Sequence, residues 1–147
     1  MEKWPTVGVS MTMHDGYKGV GQLTVVGPDA VEKANLTASL LFSRLAREGV
    51  EFADGARLVE CLGAGVCVDE EGTTEPLEVV LRIAVRDADR RRIDRWGMEL
   101  ASLLLSGPPG LTGFAGGRPK ASEVLAHWPA LVSKSRVPAA VTIEEVG

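Results

Sequence analysis

Histidine and cysteine are scarce in this chain, with two of each in 147 residues. Cys61 and Cys67 are too few for a disulfide framework, and their spacing is not Cys-x-x-Cys. Cys61 falls in an apolar strand pattern and reads as a small core residue. With His14 and His127 as the remaining soft donors, no metal-ligand spacing arises, and no metal is expected. No Ser-His-Asp set and no nucleophile elbow is evident.

Other absences narrow the field further. Lys and Arg number 16 against 20 Asp and Glu, for a net charge of −4. A nucleic-acid binder carries a basic surplus, so no nucleic-acid partner is expected. The arginines at 90–92 and 95 are offset by Asp87, Asp89, Asp94 and Glu99 and read as a solvated helix face. No apolar run approaches the ~20 residues that span a bilayer, so no membrane partner is expected. The N-terminus lacks the apolar run of a signal peptide, which makes the cytoplasm the expected location. Repeats and low-complexity tracts are absent.

What is present is periodicity and punctuation. Hydrophobic residues make up 45% of the chain, enough for a real core, and the length fits a single domain over 1–147. Residues 6–13 alternate, with Val7, Val9, Met11 and Met13 on one side, and predict a strand. His14-Asp15-Gly16 reads as a turn into a second strand at 19–26, the two forming a hairpin. Gly27-Pro28-Asp29 opens a helix, with Pro28 suited to the first helical position. In it Val31, Ala34, Ala38, Leu41 and Leu45 form one apolar stripe, and Gly49 is a C-terminal cap.

Residues 56–62 predict a short strand, and 63–76 a loop. The strongest strand pattern is 77–86, with Leu77, Val79, Leu81, Ile83 and Val85 sharing a face. Asp87 reads as the N-cap of a helix carrying Ile93, Trp96, Leu100 and Leu103, which stops at Ser106-Gly107-Pro108. Residues 121–128 read as a short helix. Val137, Ala139, Val141 and Ile143 alternate as a final strand. The predicted class is therefore α+β: a ferredoxin-like β-α-β-β-α-β antiparallel sheet, with an extra N-terminal strand and an irregular insert before the last strand. Two helices would cover one sheet face and leave the other open.

The segment 107–120 is the least ordinary feature, with five glycines and three prolines in fourteen residues. Such a segment trades side-chain burial for backbone N–H groups that a ligand can approach. Gly107, Gly110, Thr112, Gly113, Gly116 and Gly117 are candidate ligand contacts, with Arg118 and Lys120 as cations for a phosphate or carboxylate. No Gly-Lys-[Ser/Thr] follows, so this is not a Walker loop. The plainer reading is a long connection pinned by its prolines. His14 beside Asp15 is a candidate acid–base residue, although turn chemistry alone accounts for Asp15-Gly16. Tyr17 is expected at a surface. Glu78 and Arg82 share a strand face and could pair with Glu60 or Arg57 across strands. Trp128, in His127-Trp128-Pro129, is expected to pack the insert down.

Several stretches, taken in order, resemble a known family. They are Tyr-Lys-Gly-Val-Gly-Gln-Leu-Thr-Val-Val-Gly-Pro-Asp-Ala at 17–30, Ala34-Asn-Leu-Thr-Ala38, Leu-Glu-Val-Val-Leu-Arg-Ile-Ala-Val-Arg-Asp-Ala-Asp-Arg at 77–90, Gly107-Pro-Pro-Gly110 and Arg136-Val-Pro138. Together they are similar to the C-terminal domain of the acyclic terpene utilization (AtuA-like) proteins over most of residues 6–145. That resemblance implies a ferredoxin-like domain. It also implies an association with breakdown of acyclic terpenes such as citronellol and geraniol through acyl-thioester intermediates. Family members join a large N-terminal domain to this small one, so the resemblance implies either a larger AtuA-like partner chain, in a hetero-oligomer, or a small domain excised from a longer chain. It supplies no catalytic residues.

Two readings of function follow. In the first, the chain is the small subunit of a two-component enzyme, a hydro-lyase or relative acting on a carboxylic acid or its CoA thioester, with no cofactor of its own. In the second, it is a non-catalytic homodimeric module for binding or assembly, paired through its open sheet face.

Overall fold

The computed structural model of the chain describes residues 4–67, 75–113, 116–138 and 140–145. It contains an α+β arrangement of five strands and two helices: β1 (Thr6–Val26), α1 (Ala30–Arg47), β2 (Arg57–Leu62), β3 (Glu78–Asp87), α2 (Arg90–Ser106), β4 (Leu111–Thr112) and β5 (Ser122–Ser133). The sheet order is β2-β3-β1-β4, with β5 also pairing β1. This is the ferredoxin-like sheet expected from the sequence. The chain divides into two compact units, Met1–His14 with Leu125–Gly147, and Asp15–Val124.

The larger unit is built by alternation and helical periodicity acting together. β3 pairs antiparallel with β1 on one side and β2 on the other, with Leu81 opposite both Leu23 and Cys61. Because side chains alternate across a strand, Val79, Leu81, Ile83 and Val85 all point one way, and all four are buried. Onto this face α1 lays Ala30, Ala34, Ala38, Leu41 and Leu45, and α2 lays Ile93, Trp96, Leu100 and Leu103. Leu77, expected on the same face, precedes β3 and is exposed.

β1 has little bulk where α2 crosses it. A Cβ at Gly19 would run into the Trp96 ring, and one at Gly21 into Leu100 and Pro119. The missing side chains let a tryptophan fit between sheet and helix. Tyr17, expected at a surface, is partly buried and packs against this core.

The two helices are clipped together at their far ends by charge. Arg95 of α2 reaches Glu48 with both nitrogens, at 2.6 and 2.5 Å, a fork-on-fork pair. This contact holds the Glu48 carboxyl below its ordinary range. Arg44 of α1 and Arg95 both contact the buried Glu99, at 3.3 and 3.1 Å. Arg92 donates to Asp87 at 2.8 Å, and its guanidinium lies 5.7 Å from the Phe52 ring centre. Two of the arginines of α2 expected to be merely solvated, Arg92 and Arg95, thus tie the helix to its surroundings, whereas Arg90 pairs within the helix, with Asp94.

Several local expectations need correction. Residues 6–13 and 19–26 do not form a hairpin around His14-Asp15-Gly16. The chain stays extended from Thr6 to Val26, and the extra N-terminal strand is the first part of β1. Gly16 has φ 81°, and a Cβ there would strike the Asp87 carbonyl, so this glycine serves a close approach of β3 rather than a reversal. Residues 122–128, expected as part of a helix over 121–128, are strand: they open β5. The alternating residues 137–143 form no strand among the described residues, and Ala139 lies outside them. The last sheet strand is β5 instead, since strand pairing selects among segments of equal periodicity.

The insert is not wholly irregular either, because β4 pairs Leu111 with Val25 and Thr112 with Thr24. At the helix starts, Pro28 precedes α1 rather than entering it. Asp29 is the N-cap at φ 58°, next to Gly27 at φ 92°, because the chain must reverse tightly after β1. Asp89, not Asp87, caps α2 by accepting the Arg91 N–H at 2.8 Å, while Asp87 accepts the Asp89 N–H at 2.8 Å.

Candidate functional site

The second stripe of α2 builds the site. Gly97, Leu100, Ala101 and Leu104 follow steps of three and four, beside the stripe that enters the core. At Gly97 a Cβ would collide with the Pro119 carbonyl oxygen. The glycine therefore lets the end of the 107–120 segment lie directly on the helix. Asp94 fixes the same stretch, accepting the Ala121 N–H at 3.1 Å. At the other end Gly107 donates to the Leu103 carbonyl at 2.8 Å, and the Gly110 carbonyl accepts the Val26 N–H at 2.9 Å. Gly110, at φ 93°, has no room for a side chain against the Val26 carbonyl. The segment is pinned at both ends.

Held this way, the segment encloses an apolar slot of about 130 Å³ against α2 and β1. It is lined by Leu23, Leu100, Ala101, Leu104 and Pro119, with Gln22, Gly113, Gly117 and Arg118 supplying its polar groups. No carboxylate pairs with the Arg118 guanidinium among the described residues. The arrangement suits a short apolar group followed by an anionic or strongly accepting one.

Of the candidates read from the sequence, the fold brings Gly113, Gly117 and Arg118 together. Gly107 and Gly110 support the segment instead, and Thr112 pairs with β1. Gly116 and Lys120 are exposed and do not line the slot. His14 belongs to the smaller unit. The cation beside Gly110 is Lys33, whose Nζ donates to the Val26 carbonyl at 3.0 Å. Leu104, Ala101 and Gln22 escaped the sequence reading, although the 97-100-101-104 spacing carries a signal for the first two.

A second missed pair lies in the smaller unit. Ser10 Oγ is 2.6 Å from His127 Nε2, across 117 residues of sequence. A serine beside an imidazole is the start of a nucleophile–base arrangement, but no carboxylate orients this imidazole among the described residues. Both residues are exposed. Trp128, expected to pack the insert down, is exposed on β5. Of the open-face ionic candidates, Arg82 pairs with Glu60 at 2.5 Å, directly across β2 and β3. Arg57 pairs with Asp54 instead.

The remaining chemistry is sparse. Burial pushes the Cys61 thiol above its usual range, which disfavours the reactive thiolate. No group of three or more metal-binding side chains occurs among the described residues. Among them no helix is long and apolar enough to cross a membrane.

The slot depends on the absence of a side chain at 97. Alanine is the better helix former by about 1 kcal/mol. Gly97→Ala is nonetheless expected to cost about 1–3 kcal/mol, because the new methyl meets backbone rather than a yielding side chain. Urea denaturation checks this, and a stabilised variant would mean that the segment does not rest on α2.

No curated protein and no solved structure matches the chain. A family model does: that of the acyclic terpene utilisation family protein AtuA matches residues 2–143, nearly the whole sequence. The chain belongs to the acyclic terpene utilisation family.

Proposed function

We propose that this chain is the small subunit of a two-component enzyme of acyclic terpene utilisation, acting on a branched carboxylic acid or its CoA thioester. The observation that carries the reading is the slot between α2, β1 and the 107–120 segment. It is apolar along its lining, and it has one guanidinium, Arg118, with no carboxylate partner among the described residues. An acyclic terpenoid acid combines the same two features, a hydrocarbon chain and a terminal acyl oxygen. The slot's volume of about 130 Å³ falls below the ~300–1,000 Å³ of pockets that enclose a whole small ligand. It seats one part of such a substrate, and the rest requires another surface. A larger AtuA-like chain, forming a hetero-oligomer with this one, is the surface that family membership suggests.

In this reading the domain binds and orients. Arg118 holds the acyl oxygen or a phosphate of the thioester carrier, Gly113 and Gly117 allow close backbone approach, and Leu100 and Leu104 exclude water from the chain. Reacting groups come from the larger chain, and a hydro-lyase step on the acyl group fits this division of labour.

Co-purification with the larger family chain from the native cell tests the reading. A complex that turns over a branched acyl-CoA is the expected result. Recovery of no larger family chain would remove the two-component assignment. Within that complex, Arg118→Ala is expected to raise KM roughly tenfold or more, the scale of one charge-assisted contact, with the same thermal midpoint. Lys120→Ala, off the slot, is expected to have a smaller effect. Equal turnover in wild type and the Arg118→Ala, Lys120→Ala double variant would sink the role of the segment.

A further inference from the structure

The slot against α2 has a floor and a mouth. Leu23 and Leu100 form the floor, at 3% and 1% exposure. Leu104, at 37%, and the exposed Arg118 stand at the mouth. Between them comes the half-buried Ala101, the smallest side chain on the helical wall. Apolar depth with the cation outermost gives the slot a direction. An acid that enters it puts its hydrocarbon end toward Leu23 and Leu100 and leaves its carboxyl carbon beside Arg118. Whatever that carbon is joined to stays outside.

The walls have little room to give. Leu100 Cδ2 and Pro119 Cγ already occupy the space that Gly21 leaves open on β1. Pro119 in turn rests its backbone on α2 at Gly97. Near the mouth, a Cβ on Gly113 would lie 3.3 Å from Leu104 Cδ1, so segment and helix meet there as well. Packing of this kind resists expansion, because added bulk forces side chains off their rotamers and shifts backbone. The slot therefore has a fixed capacity, and that capacity is about 130 Å³. A dry cavity of ~150 Å³ holds one benzene molecule, so the slot holds an apolar group of about five or six carbons.

We propose that the slot is a gauge of acyl length, taking short acids or thioesters with about five or six carbons beyond the carboxyl carbon, and that Ala101 and Leu104 set this limit. The inference rests on the reading of the slot as a substrate site and narrows it. A shorter acid leaves part of the floor uncovered. A longer one either lifts its carboxyl off Arg118 or leaves carbons in water, where they gain no burial. Ala101 sets the limit because a larger side chain there would itself fill the space. Leu104 sets it because it is the last apolar side chain of the helical wall before solvent.

Titration of the full chain with straight-chain carboxylates from propanoate to decanoate, followed by amide chemical shifts, tests the gauge. Each added carbon is expected to tighten binding about fourfold up to hexanoate or heptanoate, and to add nothing beyond. Ala101→Leu is expected to weaken hexanoate about tenfold or more and to leave propanoate within about twofold. Leu104→Ala, at an exposed position, is expected to move the break to longer acids. Far-UV circular dichroism is the control for folding, and a misfolded Ala101→Leu leaves Leu104→Ala to decide. Affinity that climbs steadily to decanoate would overturn the gauge, as would a break that no folded variant moves. Arg118→Ala separates these results from failure of the slot reading itself. If it weakens hexanoate about tenfold in a chain that shows no break, the slot binds acids without measuring them, and only the gauge falls. If it binds every acid as the wild type does, or if no acid binds the wild type, the slot is not a substrate site and both readings fall.

Discussion

Trp96→Ala is expected to lower stability by about 3–5 kcal/mol, the range for removing a large aromatic ring from a packed interior. The indole is fully buried, and it fills the space that Gly19 leaves open on β1. Its Nε1 has no hydrogen-bond partner among the described residues, so the ring's contribution is one of volume and contact rather than of a polar bond. Alanine would leave a cavity bounded by a sheet on one side and helix α2 on the other. Neither can shift far, because α2 is held by Arg95 to Glu48 and Arg92 to Asp87. Against a typical total of ~5–15 kcal/mol, such a loss is severe. Urea denaturation measures it as a lower midpoint at constant slope. A change below about 1 kcal/mol would mean that Trp96 is not the filler between sheet and helix.

The second large effect is at the centre of the sheet. Leu81→Ala is expected to cost about 2–5 kcal/mol, as for buried leucines generally. Leu81 is 1% exposed and sits in β3 between Leu23 and Cys61, under both helices. Val80, the next residue, points to the open face and is only partly buried. Val80→Ala is the internal control, with a cost of at most about 1 kcal/mol. The contrast between neighbours tests the face assignment directly. Similar losses at 80 and 81 would mean that both faces of β3 are covered, and the open face would need another account.

The open face itself is mixed. Leu58, Ala84 and Val20 line up across three strands, and so do Glu60, Arg82 and Gln22. The ionic row at Glu60 and Arg82 divides the apolar groups on either side of it.

Much of the larger unit was legible in the residues alone. The alternation from 78 to 87 and the stripes at Ala34, Ala38, Leu41 and Leu45, and at Ile93, Trp96, Leu100 and Leu103, each identify a buried face. Periodicity reports local geometry, and one-sided burial is what creates it. The Gly/Pro composition of 107–120 marked the segment that encloses the slot. The site's shape was not legible, because it depends on Gly97 admitting Pro119, a contact between residues that no pattern links.

The errors have the same origin. Asp15-Gly16 has the chemistry of a hairpin turn, but Thr6–Val26 is one strand and 17–26 pairs with β3. The place beside β1 goes to β5, which contains 122–128, rather than to 137–143, which forms no strand among the described residues. By itself the sequence determined both helices, the strands β2 and β3, which face of each is apolar, and which chemistries have few residues to work with. Tertiary structure alone decided which strand pairs with which, where the slot lies, and which apolar surfaces are left uncovered. Alternation tells a strand which side to bury, while the choice of neighbour rests on hydrogen bonds and packing between residues far apart in the chain.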